Sequence, residues 1–177
     1  MFYNPISYES KVSYVLNNSE LNNFLLCVIS NIRPHNAEFR EVLEVLYDTG
    51  LRSEEVINKN RWAVKSLDIL EVKTCKYSSS REIKISSINQ VFAHSIITGY
   101  DRYILVNYSS LNYFFSSAMM GKRFRVGGKR IFLHLFRYNF IRQLEQNGKT
   151  FNEIVAIMGH KEKANTYAYL TNKIIYE

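Results

Sequence analysis

Cysteine is scarce. The 177-residue chain has two, Cys27 and Cys75, far apart in sequence. That excludes a disulfide framework and a paired-cysteine metal knuckle, and it leads to the expectation of a reduced, cytoplasmic setting. Long hydrophobic runs are missing too. The longest, FLLCVI at 24–29, falls well short of the roughly 20 residues that span a bilayer, so no membrane partner is expected. No charged stretch followed by an apolar segment opens the chain, which speaks against a secretory route. Neither a GxxxxGKS/T phosphate loop, an HExxH helix nor a CxxC pair occurs, and the acidic residues are scattered rather than clustered for Mg²⁺. Nucleoside-triphosphate and zinc chemistry therefore have no foothold. No cofactor, metal or small-molecule substrate is expected.

What is present is apolar, aromatic and unevenly charged. Apolar residues make up 46% and aromatic residues 14%, enough for one domain with a substantial core. The net charge is +7. Residues 1–120 carry 12 basic and 12 acidic side chains, whereas residues 121–177 carry 11 and 4, so the excess lies in the last third. Such concentration is the footprint of a polyanionic partner, although a solvated surface accounts for charge alone equally well.

The patterning is mostly helical. NSELNNFLLCVISNI reads as a helix capped by Ser19. After Pro34, Phe39, Val42, Leu43 and Leu46 share one helical face, and Gly50 marks the stop. LRSEEVINKN starts a short helix almost at once, which holds Leu51 and Arg52 in a corner. Over 67–86 the period changes: DILEV and EIKI alternate around a Ser-rich turn, a hairpin signal. SLNYFFSSAMMG reads as a helix capped by Ser110, followed by a basic loop at 121–130. A helix at 135–148 presents Phe136, Phe140 and Leu144 on one face, and another, capped by Thr150, presents Phe151, Ile154, Val155 and Met158. A final tyrosine-bearing segment begins near Glu162. The expected fold is mainly α with a small antiparallel β-sheet, an α+β domain.

The residues able to carry chemistry are cationic. His134 and Arg137 stand at i and i+3 where a helix starts, so they are neighbours beside its positive end. Arg52 sits in the corner after YDTG, Lys76 in the hairpin turn, and His160 directly after the helix-ending Gly159. Taken singly, Arg52 pairs as readily with Glu54 or Glu55, and each histidine serves as well as a helix-end residue. Together with a downstream tyrosine they suit a phosphodiester transesterification. Lys122, Arg123, Arg125, Lys129 and Arg130, in the basic loop, are candidates for DNA phosphates, and a flexible solvated loop accounts for them equally well.

These residues, in this order, resemble the tyrosine site-specific recombinases, the family of phage integrases and chromosome-dimer resolvases. LYDTGLRSEEV is similar to the family's first box and places Arg52 there. HLFRYNFIRQLEQNG resembles the second, with His134 and Arg137 in its His-x-x-Arg, and EIVAIMGHKEKANTYAYL resembles the remainder of that box. Arg137 and His160 are 23 residues apart, a family spacing. Lys76, 24 residues after Arg52 and five before Arg81, takes the place of the hairpin lysine, with Lys73 as its rival. The resemblance implies a catalytic domain at 36–177 after an N-terminal extension at 1–35, with no upstream core-binding domain in this chain. Three features depart from the family: the missing upstream domain; the short stretch between the hairpin and His134, where a reduced helix is expected; and Tyr138, where a histidine is common.

The implied activity is cutting and rejoining of double-stranded DNA through a 3′-phosphotyrosyl intermediate, for integration, excision or inversion, by four protomers assembled on DNA. A phosphodiester gains negative charge as it is attacked, and planar arginine donors such as Arg52 and Arg137 match its non-bridging oxygens. His160 would be a third donor. A phenol of pKa near ~10 needs that field and a base to act as nucleophile. The family interval selects Tyr169 as that nucleophile, gives His134 the proton transfer and gives Lys76 protonation of the leaving 5′ oxygen. Tyr167 points about 200° away on a helix and is expected to pack inward or against a neighbour. Two alternatives stay open. One is a type IB topoisomerase or hairpin telomere resolvase. The other is a DNA-binding relative that has lost the reaction, at which Tyr138 hints.

Overall fold

Helices dominate the computed structural model of the protein, which describes residues 13–75, 80–119 and 121–177. In chain order the elements are β1 (Tyr14–Leu16), α1 (Asn18–Ser30), α2 (Ala37–Thr49), α3 (Ser53–Ile57), β2 (Trp62–Val64), β3 (Ile69–Val72), β4 (Arg81–Lys84) and α4 (Gln90–Thr98). There follow α5 (Tyr108–Ala118), β5 (Phe124–Val126), β6 (Lys129–Ile131), α6 (His134–Gln146), α7 (Phe151–Met158), α8 (Lys163–Thr171) and β7 (Ile174–Tyr176). The architecture is α+β, as expected, with two antiparallel sheets in place of the single one anticipated. One is ordered β2-β3-β4, the other β1-β7-β5-β6. No helix among the described residues is long and apolar enough to cross a membrane.

Helix α6 organises the packing, because it touches α1, α2, α7 and α8. Leu135 and Phe136 are fully buried in the main core, while Ile141 joins Ile154 and Met158 in a second cluster. Each such side chain contributes about 1.5–3 kcal/mol by leaving water. A helix surrounded this way also buries polar residues, here Arg137, Asn139 and Arg142. The described part of the first 35 residues belongs to the same core. Leu21, Leu25 and Val28 of α1 are buried, and Val15 pairs with Ile175 across β1 and β7.

Helix starts differ from the sequence reading in two places. Asn17, not Ser19, caps α1. Its side chain accepts from the Glu20 amide at 2.9 Å and Glu20 returns a bond to the Asn17 amide at 2.8 Å. Ser19 has no carboxylate three residues on with which to close such a box. Likewise Asn107 caps α5, and Ser110 is its third-position partner. The expected basic loop is also a correction: 124–131 is the β5–β6 hairpin. The adjacent Gly127 and Gly128 take φ of 54° and 77°, as a tight two-residue turn demands.

Candidate active site

The site begins at the end of α2. Gly50 stops the helix in the left-handed region, φ 59°, and donates its amide to the Leu46 carbonyl at 2.9 Å. A β-carbon there would meet side-chain atoms of Phe140 at 2.5–2.8 Å, so α6 approaches this corner as closely as glycine allows. That approach lets Arg137, which is 1% exposed, donate from Nη1 to the Gly50 carbonyl at 2.7 Å.

Two residues on, Arg52 precedes α3. Glu55, fully buried, accepts from the Arg52 amide at 2.8 Å and from Arg52 Nη1 at 3.0 Å. The same carboxylate accepts the Cys75 amide at 2.8 Å, and the Glu55 carbonyl accepts Trp62 Nε1 at 2.8 Å. Arg52 thus does pair with a glutamate, as its sequence neighbours allowed, but with a buried one that also holds the segment following β3. A cleft of about 240 Å³ opens here, lined by Arg52, Glu54, Cys75, Tyr108 and His134.

Helix α7 ends at Gly159 and delivers His160 beside Arg137. Arg137 Nη2 lies 2.7 Å from His160 Nε2, and His160 Nδ1 lies 2.7 Å from Thr166 Oγ1. A guanidinium only donates, so Nε2 must be the acceptor and the ring proton sits on Nδ1, facing Thr166. Burial and the charges of Arg137, Arg52 and Arg81 push the His160 pKa down to about 4, consistent with a neutral ring. In this arrangement His160 holds Arg137; donating to a phosphate requires a proton on Nε2.

Tyr169 lies within the cluster. Its hydroxyl is 2.5 Å from His134 Nε2, its ring stacks on His160 with centroids 5.7 Å apart, and Arg137 Cζ lies 5.6 Å from its centroid. Burial raises the phenol pKa, while Arg137 and Arg52 pull the other way. Tyr167, expected to pack inward or against a neighbour, is 62% exposed and does not pack inward. The half-turn separation is real, and it sends Tyr167 to solvent.

Arg52, His134, Arg137, His160 and Tyr169 therefore converge. Lys76 lies outside the described residues. Its rival Lys73 is exposed just beyond β3 and donates its amide to the Arg61 carbonyl at 2.8 Å. Of the basic candidates on the hairpin, Arg123, Lys129 and Arg130 are exposed. Arg125 pairs with Glu177 at 2.9 Å, and Lys122 Nζ lies 5.4 Å from the Phe24 centroid and 5.9 Å from that of Tyr176.

Sequence reasoning used Arg81 only as a counting mark, yet it belongs here. It donates from Nη2 to the Thr49 carbonyl at 2.9 Å. Burial, then repulsion from Arg137, brings its pKa down to about 10. The available signal was the alternation of REIKI, which puts Arg81 on the inward face with Ile83. Three guanidiniums around one buried carboxylate make a site disposed to take an anion.

Solved structures share this architecture. The chain superposes on XerA recombinase with a TM-score of 0.56 at 17% identity, covering 89% of this chain and 60% of that one. It superposes on XerH site-specific recombinase, bound to a palindromic difH substrate in a post-cleavage complex, with a TM-score of 0.60 at 17% identity, covering 88% and 48%. For a lambda integrase dimer on a COC′ core site (residues 75–356) the values are 0.58 and 13%, covering 88% and 58%. The fold is that of a tyrosine recombinase catalytic domain. The chain spans about half to three fifths of the length of these recombinases. No protein-family model and no curated protein sequence matches it.

Proposed function

We propose that this protein is a site-specific DNA recombinase that cuts and rejoins strands through a 3′-phosphotyrosyl intermediate. The observation that carries the proposal is the Tyr169 hydroxyl, seated on His134 Nε2 beside Arg137 and His160. Preorganised positive charge around a phenol is what attack on an anionic phosphodiester needs. XerH and lambda integrase, which share the fold, were solved on DNA, and that supports duplex DNA as the partner.

In this reading Arg52 and Arg137 bind the non-bridging oxygens of the scissile phosphate, and Arg81 adds to the field from behind. His160 orients Arg137 from its unprotonated Nε2. The Tyr169 oxygen attacks phosphorus and its proton passes to His134 Nε2. The P–O5′ bond breaks, and the 5′ oxygen takes a proton from the hairpin lysine, assigned to Lys76. The tyrosyl ester conserves the bond, so the 5′-hydroxyl of another duplex reverses the step without an external energy source. Exchange between two duplexes calls for four protomers on DNA.

The test uses nicked suicide substrates drawn from the DNA flanking the protein's own gene, resolved on a denaturing gel. Wild type should form a covalent adduct in excess EDTA, Tyr167→Phe should retain it, and Tyr169→Phe should lose it while still binding DNA. An adduct persisting in Tyr169→Phe and absent from Tyr167→Phe refutes the nucleophile. Relaxation of any supercoiled plasmid without strand exchange would identify a topoisomerase instead.

A further inference from the structure

We infer that Arg142 is a positioning residue for Tyr169, gripping the last turn of α8 and so setting where the phenol stands. The inference rests on Tyr169 being the nucleophile. Arg142 lies on α6, five residues beyond Arg137, and is 6% exposed. Its Nε donates to the carbonyl of Tyr169 itself at 3.1 Å, its Nη2 to the Asn172 carbonyl at 2.5 Å and its Nη1 to Asn18 Oδ1 at 3.3 Å.

The last four carbonyls of a helix find no donor within it, and α8 carries no basic residue in its own final turn. Arg142 supplies from a neighbouring helix both the missing donors and the positive charge that a helix C-terminus favours. The grip has a second point. Arg142 Cζ lies 5.5 Å from the Tyr138 ring centroid, and the Tyr138 ring meets the Tyr169 ring edge-on with centroids 4.7 Å apart. One guanidinium thus fixes the nucleophile by its backbone and, through Tyr138, by its ring. A lysine cannot reproduce this, because a single ammonium lacks the planar fork that spans two carbonyls.

Arg142→Met and Arg142→Lys, with wild type, test the assignment in three measurements. Arg142 is buried, and DNA affinity rests on surface cations, so the dissociation constant should change by less than about threefold. Single-turnover adduct formation should slow about 100-fold in Arg142→Met, the size of effect expected when a reacting group is displaced by an ångström, with Arg142→Lys in between. Amide hydrogen exchange should quicken in peptides covering 163–176 and stay unchanged over α2 and the first half of α6. Adduct formation at the wild-type rate in Arg142→Met overturns the assignment. So does faster exchange throughout the core, which marks a general packing role; if Arg142→Met does not fold, Arg142→Lys carries the same criteria. Should wild type form no adduct at all, the recombinase reading fails by itself. The exchange data then judge the grip alone, and unchanged protection over 163–176 refutes it.

Discussion

Protonation of His160 gives the most direct access to the cluster, because its neutral form is built into the geometry. The ring accepts from Arg137, and burial, together with the three surrounding guanidiniums, brings its pKa from 6.5 to about 4. The sign follows from proton counting. Between those two values the unfolded chain binds a proton that the folded protein refuses, so stability is complete above about 6.5 and is lost as the pH falls toward 4. At 1.36 kcal/mol per pH unit the loss amounts to about 3 kcal/mol. The perturbation is His160→Gln, which keeps a neutral acceptor for Arg137 and removes the titration. The assay is chemical denaturation of both proteins at steps across the window, with the difference in unfolding free energy plotted against pH. Asp48, raised to about 6 by burial and Glu44, contributes the opposite slope, since its stabilisation is lost as pH rises, but it is common to both proteins and cancels. Parallel curves for the two proteins would refute the reasoning. So would a nitrogen NMR spectrum showing His160 doubly protonated at neutral pH.

Further expectations concern other parts of the site. Gly50→Ala forces a left-handed alanine against the Phe140 ring and should cost about 2–4 kcal/mol in a denaturant melt, whereas a loss below about 0.5 would show that the corner yields easily. Lys76→Ala should slow cleavage of ordinary DNA and recover on a bridging 5′-phosphorothiolate, whose thiolate leaves without a proton; recovery in Lys73→Ala instead would move the general acid to Lys73. DNA affinity should fall steeply with salt, and neutralising Lys129 and Arg130 together should flatten the slope by up to about two; a salt-insensitive affinity would deny the hairpin a phosphate role.

Much of the site was legible because it is written in helix ends. Gly50 and Gly159 mark stops, and Arg52 and His160 follow them. His134 and Arg137 are three residues apart on a helix whose apolar period is plain. The peripheral sheet was not legible. β1, β5, β6 and β7 have three residues each, too few to display an alternation, and their pairing is fixed by partners far along the chain. Buried arginines escaped for a different reason. In sequence Arg81 and Arg142 look like solvated surface cations, and it is the carbonyls of Thr49, Tyr169 and Asn172, together with Asn18 Oδ1, all brought from elsewhere in the chain, that make their burial tolerable. Tyr167 was misjudged because an aromatic residue in a short helix was assumed to need a neighbour, while the face it occupies meets solvent.

Glu55 joins parts of the site that chemistry treats as separate. Its two oxygens hold the amide and guanidinium of Arg52, and one of them also holds the amide of Cys75, the residue before Lys76. In the proposed reading, the arginine assigned to the phosphate and the segment leading to the lysine assigned as acid therefore bond to one and the same carboxylate. Two hydrogen bonds through Glu55 Oε1 connect the Arg52 guanidinium with the Cys75 amide. Variants of Arg52 and of the hairpin lysine, combined with loss of Glu55, should then fall short of additivity, since removing Glu55 already releases both. At the centre of a cluster of cations, the residue that ties the two segments together is an acidic one.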